Sequence, residues 1–240
     1  MTAVLDGPRI SARAGRARQL VVFLHGYGAD GNDLIELGRQ WRALLPGAAF
    51  VSPHAPERCA ATPMGRQWFA LSNSLPEDRG GAEERWRGAV KARGAIDAFL
   101  DAELKRLGLD ESGLALVGFS QGAMMALHVG LRRSRVPAAI LGFSGLLVGP
   151  ERLSEAAARG APPPILLIHG DQDPLIPVEA MFMAAEALAG ASIPTQWHVS
   201  LGVGHGIDGE GLRHGGLFLA KALAGTRRRK LSEPSAILQF

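Results

Sequence analysis

The chain has 240 residues, of which 47% are apolar and 20% charged, with one cysteine and a formal net charge of +3. That length suits one compact α/β domain and buries well over half of the unfolded surface, so no covalent staples are needed. A lone Cys59 excludes an intramolecular disulfide and with it a secreted disulfide scaffold; a reducing compartment fits.

The first 20 residues are polar and Arg-rich and do not read as a secretory signal, and no run of about 20 apolar residues predicts a membrane span. The expectation is a soluble cytoplasmic protein without stable membrane insertion. The basic run Arg227–Lys230 supplies four positive charges, so the rest of the chain is near neutral. It reads as a solvated tail, and no nucleic-acid-binding motif accompanies it.

In chain order, residues 19–25 form a near-continuous apolar run expected as a strand, and residues 33–45 a helix. Residues 48–52 predict the next strand, which ends in Pro53-His54-Ala55-Pro56. A long loop, residues 57–81, carries Met64, Trp68, Phe69 and Leu71 among glycines, prolines and polar residues; loops of this length in compact domains are usually functional. Residues 83–107 read as a long helix charged on one face. Residues 114–119 predict a buried strand, 121–133 an apolar helix, and 138–143 and 165–169 two further strands. A helix over 178–188, a strand over 195–200 and a last helix over 209–223 follow. Apolar strands alternating with helices predict an α/β fold with a mostly parallel sheet covered on both faces. A single domain is expected over residues 1–226, followed by a basic tail over 227–240.

Gly118-Phe119-Ser120-Gln121-Gly122 is a G-x-S-x-G at the end of an apolar strand and the start of an apolar helix. A nucleophilic serine on a sharp strand-to-helix turn needs small neighbours two residues away, and the helix N-terminus favours developing negative charge. The bland alternative is a Gly-rich turn with a serine N-cap. Ser144, in Gly142-Phe143-Ser144-Gly145, is a rival; it lacks the second glycine at the right spacing and reads as a supporting residue.

An acid and a histidine are then needed after later strands, in that order. Asp171 and Asp173 both follow the strand over 165–169. Asp173 precedes Pro174, which stiffens its loop, whereas Asp171 suits an Asx-type turn brace; Asp173 is favoured as the acid. After the last strand, His205 lies between Gly204 and Gly206 and suits a general base. His25 and His169 end strands and are expected to be structural. No pair of histidines has a convincing metal spacing, so no metal site is expected.

The turn Gly26-Tyr27-Gly28 can aim backbone N–H groups at a bound oxygen, and the N–H groups of Tyr27 and Gln121 are the expected oxyanion donors. Its Gly26, Gly28, Gly31 spacing matches a dinucleotide turn, but the next strand, Phe50-Val51-Ser52-Pro53, lacks the acidic end such a site needs. Trp68, Phe69 and Leu71 are candidates for a substrate-binding wall; the alternative for Trp68 and Phe69 is simple core cover.

The set LHGYGADGND, PHAP, WF, GFSQG, HGDQDPLIP and GVGHGI, spread from Leu24 to Ile207, resembles the phospholipase/carboxylesterase family, which includes the acyl-protein thioesterases. The resemblance implies an α/β-hydrolase fold without a large cap domain and a triad of Ser120, Asp173 and His205. It also implies Tyr27 and Gln121 as oxyanion donors, no cofactor, and carboxylic esters, lysophospholipids or acyl thioesters as substrates. Tyr27, Ala123 and the Gly145-Leu146-Leu147 stretch differ from the eukaryotic thioesterases and resemble a bacterial carboxylesterase.

The leading expectation is therefore a serine esterase for small to medium acyl chains, acting on a small-molecule ester or thioester. A thioesterase or lysophospholipase for longer chains, and a non-catalytic binding protein on the same fold, are the alternatives. No nucleic-acid partner is expected, and a homodimer is left open.

Overall fold

The computed structural model describes residues 4–71, 79–154 and 161–232. Its core is a seven-stranded sheet of β1 (Arg9–Ile10), β2 (Gln19–Leu24), β3 (Ala48–Val51), β6 (Leu114–Phe119), β7 (Ala139–Phe143), β8 (Ile165–Gly170) and β9 (Thr195–Ser200). The spatial order is β1-β3-β2-β6-β7-β8-β9. Only the short β1 runs antiparallel to its neighbour; every other pairing is parallel, with Leu20 opposite Leu114 and Phe119 opposite Phe143.

The apolar strands follow from this burial on two faces. Leu20, Val22, Leu24, Leu114 and Leu116 point into one core, and Val21, Phe23, Ala115 and Val117 into the other. Strand periodicity of two thus splits one continuous apolar run between two cores. Helices α2 (Arg79–Leu107), α3 (Gln121–Gly130) and α4 (Glu179–Gly190) contribute to the first core. Helices α1 (Gly31–Trp41) and α5 (Gly209–Ser232) contribute to the second.

Several boundaries differ from the sequence reading, each for a local reason. Helix α1 starts at Gly31 because Asp30 caps it, its carboxylate accepting from the Asn32 N–H at 2.7 Å. The expected loop over 57–81 contains a small antiparallel pair, β4 (Glu57–Arg58) with β5 (Arg66–Gln67), and residues 72–78 of it lie outside the described residues. Helix α3 ends at Gly130 rather than residue 133. Just beyond, Arg133 is drawn into ion pairs with Asp97, Asp101 and Glu111. The last helix runs to Ser232, so Arg227–Lys230 lie on it and not on a tail beyond it. Good helix formers fill that stretch, and the first proline, Pro234, comes only after it.

The chain moves from β2 to β3 on one side and resumes with β6 on the other. The strand order therefore reverses between β2 and β6. Open α/β sheets bind ligands in the crevice at the carboxyl ends of the strands flanking such a reversal. The Gly26-Tyr27-Gly28 turn follows β2 and Ser120 follows β6, so both sit there. Among the described residues no helix is long and apolar enough to cross a membrane.

Candidate active site

Ser120 sits at φ 53°, ψ −118°, a left-handed conformation that a non-glycine residue adopts only under constraint. The constraint is close packing. A Cβ on Gly118 would lie 2.2 Å from the Gly122 carbonyl oxygen, and one on Gly122 would lie 1.8 Å from that of Leu24. Both glycines of the G-x-S-x-G are thus required for α3 to start against β2 and β6. The Ser120 N–H bonds to the Phe143 carbonyl at 2.9 Å, and its side chain caps nothing, which removes the plain N-cap alternative.

The loop after β8 places Asp173, whose side chain is fully shielded from solvent. Its Oδ1 accepts from the N–H groups of Leu175 and Ile176, each at 2.9 Å, and its Oδ2 lies 2.7 Å from His205 Nδ1. Burial works to raise its pKa. The Ile176 N–H, the His205 ring and the Leu175 N–H outweigh that, and the carboxyl titrates below its ordinary value. Asp171 takes the bracing role: its Oδ1 accepts from the Gly202 N–H at 2.6 Å, tying the β8 loop to the loop that carries His205.

His205 therefore presents Nδ1 to Asp173, while its ring packs at 4.9 Å on Phe119, the residue before Ser120. Among the described residues no hydrogen bond joins Ser120 Oγ to His205; in resting sites that bond often closes only with substrate. Ser144, the rival serine, also has positive φ, at 47°, but it is buried and its hydroxyl donates to the Gly206 carbonyl at 3.4 Å. It steadies the histidine loop, as its sequence context suggested. His169 is structural as expected: its Nε2 lies 2.8 Å from the Ile176 carbonyl and 3.2 Å from Asp173 Oδ2.

The turn after β2 lies against the serine. A Cβ on Gly26 would be 3.4 Å from the Ser120 Cβ. Gly28 takes φ +80° and donates to the Arg66 carbonyl at 2.9 Å, which leaves Tyr27 between two anchored residues. Neither the Tyr27 N–H nor the Gln121 N–H has a protein acceptor among the described residues. The Tyr27 hydroxyl pairs with the buried Cys59 thiol, and this contact raises the pKa of the phenol.

Trp68 and Phe69 do not form an open wall. They are 1% and 2% exposed and belong to the core, because each is claimed by a buried polar partner. Gln121 Oε1 accepts from the Trp68 N–H at 2.9 Å, and Gln121 Nε2 donates to the Phe69 carbonyl at 2.7 Å. The Trp68 indole N–H donates to the His25 carbonyl at 2.9 Å, and His25 Nε2 accepts from the Ala55 N–H at 3.0 Å. This run of hydrogen bonds ties Gln121, at the start of α3, to His25, at the end of β2, and the Gln121 side chain at its centre was missed by reading only its backbone. Leu71 is half-buried at the margin of the core. A small void of about 10 Å³, lined by Ala123, Leu127, Gly145, Leu146, His169 and Met181, lies beside α3.

The family model described as phospholipase/carboxylesterase matches residues 5–223. The chain belongs to that family. The structure of esterase PE8 superposes on this carboxylesterase-family chain with TM-score 0.84 and 45% identity, covering 92% of this chain and all of the other. Esterase YpfH of Escherichia coli is 28% identical over 201 residues, 82% of this chain and 80% of its own. Acyl-protein thioesterase 1 of Gibberella zeae is 28% identical over 229 residues, 90% of this chain and 95% of its own. This family member is an α/β-hydrolase and an enzyme of the ester-hydrolase class, and its described residues form no large cap domain.

Proposed function

We propose that this hydrolase cleaves carboxylic esters of small to medium acyl chains through Ser120, His205 and Asp173. The 2.7 Å contact between His205 Nδ1 and Asp173 Oδ2, beside a serine held at φ 53°, carries the reading. With its Nδ1–H given to Asp173, the ring keeps the Nε2 lone pair for the Ser120 proton. Ser120 Oγ attacks the ester carbonyl as that proton passes to Nε2. The N–H groups of Tyr27 and Gln121 stabilise the oxyanion, each by about 3 kcal/mol. His205 then protonates the leaving alcohol, and water, activated by the same nitrogen, releases the acid and frees Ser120.

The likeness to esterase PE8 supports an ester substrate. Leu71, at the margin, is proposed to touch substrate, whereas Trp68 and Phe69 act by holding Gln121 and His25. The test is turnover of p-nitrophenyl esters from acetate to palmitate. Activity that peaks at short or medium chains is expected. A peak at long chains would assign the longer-chain lysophospholipase or thioesterase activity instead.

A further inference from the structure

On the two elements that flank the His205 loop, β9 and α5, His198, Glu210 and His214 converge. One ligand atom from each lies within 4.8 Å of the others. The convergence follows from the elements. His198 and Ser200, two apart on β9, share one face of the strand. Helix α5 starts against that face because Asp208 Oδ1 accepts from Ser200 Oγ at 2.7 Å and from the Gly211 N–H at 3.0 Å. Glu210 and His214 are one helical turn apart, with His214 Nε2 3.6 Å from Glu210 Oε1.

His198 supplies an independent sign. Its Nε2 is shut off from water and has no hydrogen-bond partner among the described residues. Its ring faces a second imidazole, His214, with centroids 4.4 Å apart and planes at 34°. Two imidazoles and a carboxylate are the donor set of a borderline divalent cation such as Zn²⁺, with a fourth position left for water. Tetrahedral ligands sit about 3.4 Å apart, so the set must close by roughly 1 Å. Glu210, with 61% of its side chain exposed, is free to swing in.

We infer that His198, Glu210 and His214 bind one divalent transition-metal ion of the Zn²⁺ type, which clips β9 to α5. The residues between these two elements form the loop that carries His205, so the ion joins the two ends of the loop holding the general base. Bound there, it stabilises the folded chain by mass action without entering the ester chemistry.

The experiment titrates ZnCl₂ into the full chain, stripped with EDTA and exchanged into chelator-free buffer, and reads binding by calorimetry and unfolding by thermal melt. One saturable ion per chain is expected, with the melting temperature rising by roughly 5–10 °C at a hundredfold excess over Kd. His214→Ala should melt within about 2 °C of wild type without metal, yet lose the stoichiometric binding and the rise. If that variant does not fold, Glu210→Gln, on an exposed side chain, should weaken binding at least tenfold. His205→Ala should keep the binding. Absence of saturable binding in wild type, its persistence in the folded His214→Ala or Glu210→Gln chain, or its loss in His205→Ala would overturn the site.

Discussion

The turn that carries Ser120 and the loop that carries His205 both pack on glycines but differ in how much side-chain hydrogen bonds add. The serine turn lies mid-sheet, where two glycines admit backbone contacts that any Cβ would break, and Gln121 locks it from behind. The histidine loop leaves the edge strand β9, packs on Gly170, where a Cβ would meet the Val203 and Gly204 carbonyls, and is braced by side chains, Asp171 to Gly202, Ser144 to Gly206, Ser200 to Asp208 and Asp173 to His205. The Ser120 turn thus rests mainly on backbone packing, which is costly to disturb, and the His205 loop adds side-chain hydrogen bonds, which can be removed one at a time. Strain is stored where the core can over-determine it.

That contrast can be attacked in order of expected effect. Asp173→Asn leaves His205 in the wrong tautomer and should cut kcat about 10⁴-fold, read by steady-state kinetics. Retention of most activity would mean that Asp173 does not orient the base. Gly122→Ala forces a Cβ into the Leu24 carbonyl and should destabilise by more than ~3 kcal/mol in urea unfolding. A neutral result would show the serine turn to be slack.

Gln121→Ala strands the buried Trp68 N–H and Phe69 carbonyl and should destabilise by about 2–4 kcal/mol in the same assay. Asp171→Asn, at the exposed brace, should change stability by no more than about 1 kcal/mol and activity by less than tenfold. A larger loss at Asp171 than at Asp173 would reverse the acid assignment.

The pH dependence sharpens the same division. Asp173 titrates lower in the folded chain than in the unfolded one. Its carboxylate therefore contributes stability that is full above the ordinary value of ~3.9 and is lost as pH falls through the lowered folded value. The stability gap between wild type and Asp173→Asn should close across that acid range in urea titrations. A gap that widens on acidification would contradict the carboxylate's role.

How far these features could be read in advance depends on whether their cause is local. The parallel sheet was legible because strands buried on both faces are continuous apolar runs, and Ser120 because its turn demands glycines at fixed offsets. His205 could be picked by its position after the last strand, but two aspartates follow β8, and position alone left Asp171 open beside Asp173. The Gln121 side chain was not legible, because its partners, Trp68 and Phe69, lie more than fifty residues earlier and are joined to it only by the fold. The same holds for His198 opposite Glu210 and His214: a helical i, i+4 pair is visible in sequence, but its third member comes from a strand. The end of α5 was misplaced because helix formers continue past the last apolar residue that periodicity could register.

The sharpest single measurement is covalent labelling of the full chain with a fluorophosphonate ester, followed by peptide mass spectrometry. A serine activated by His205 should carry one adduct, on Ser120, and Ser120→Ala should carry none. An adduct on Ser144, or labelling that persists in Ser120→Ala, would contradict the assignment of the nucleophile.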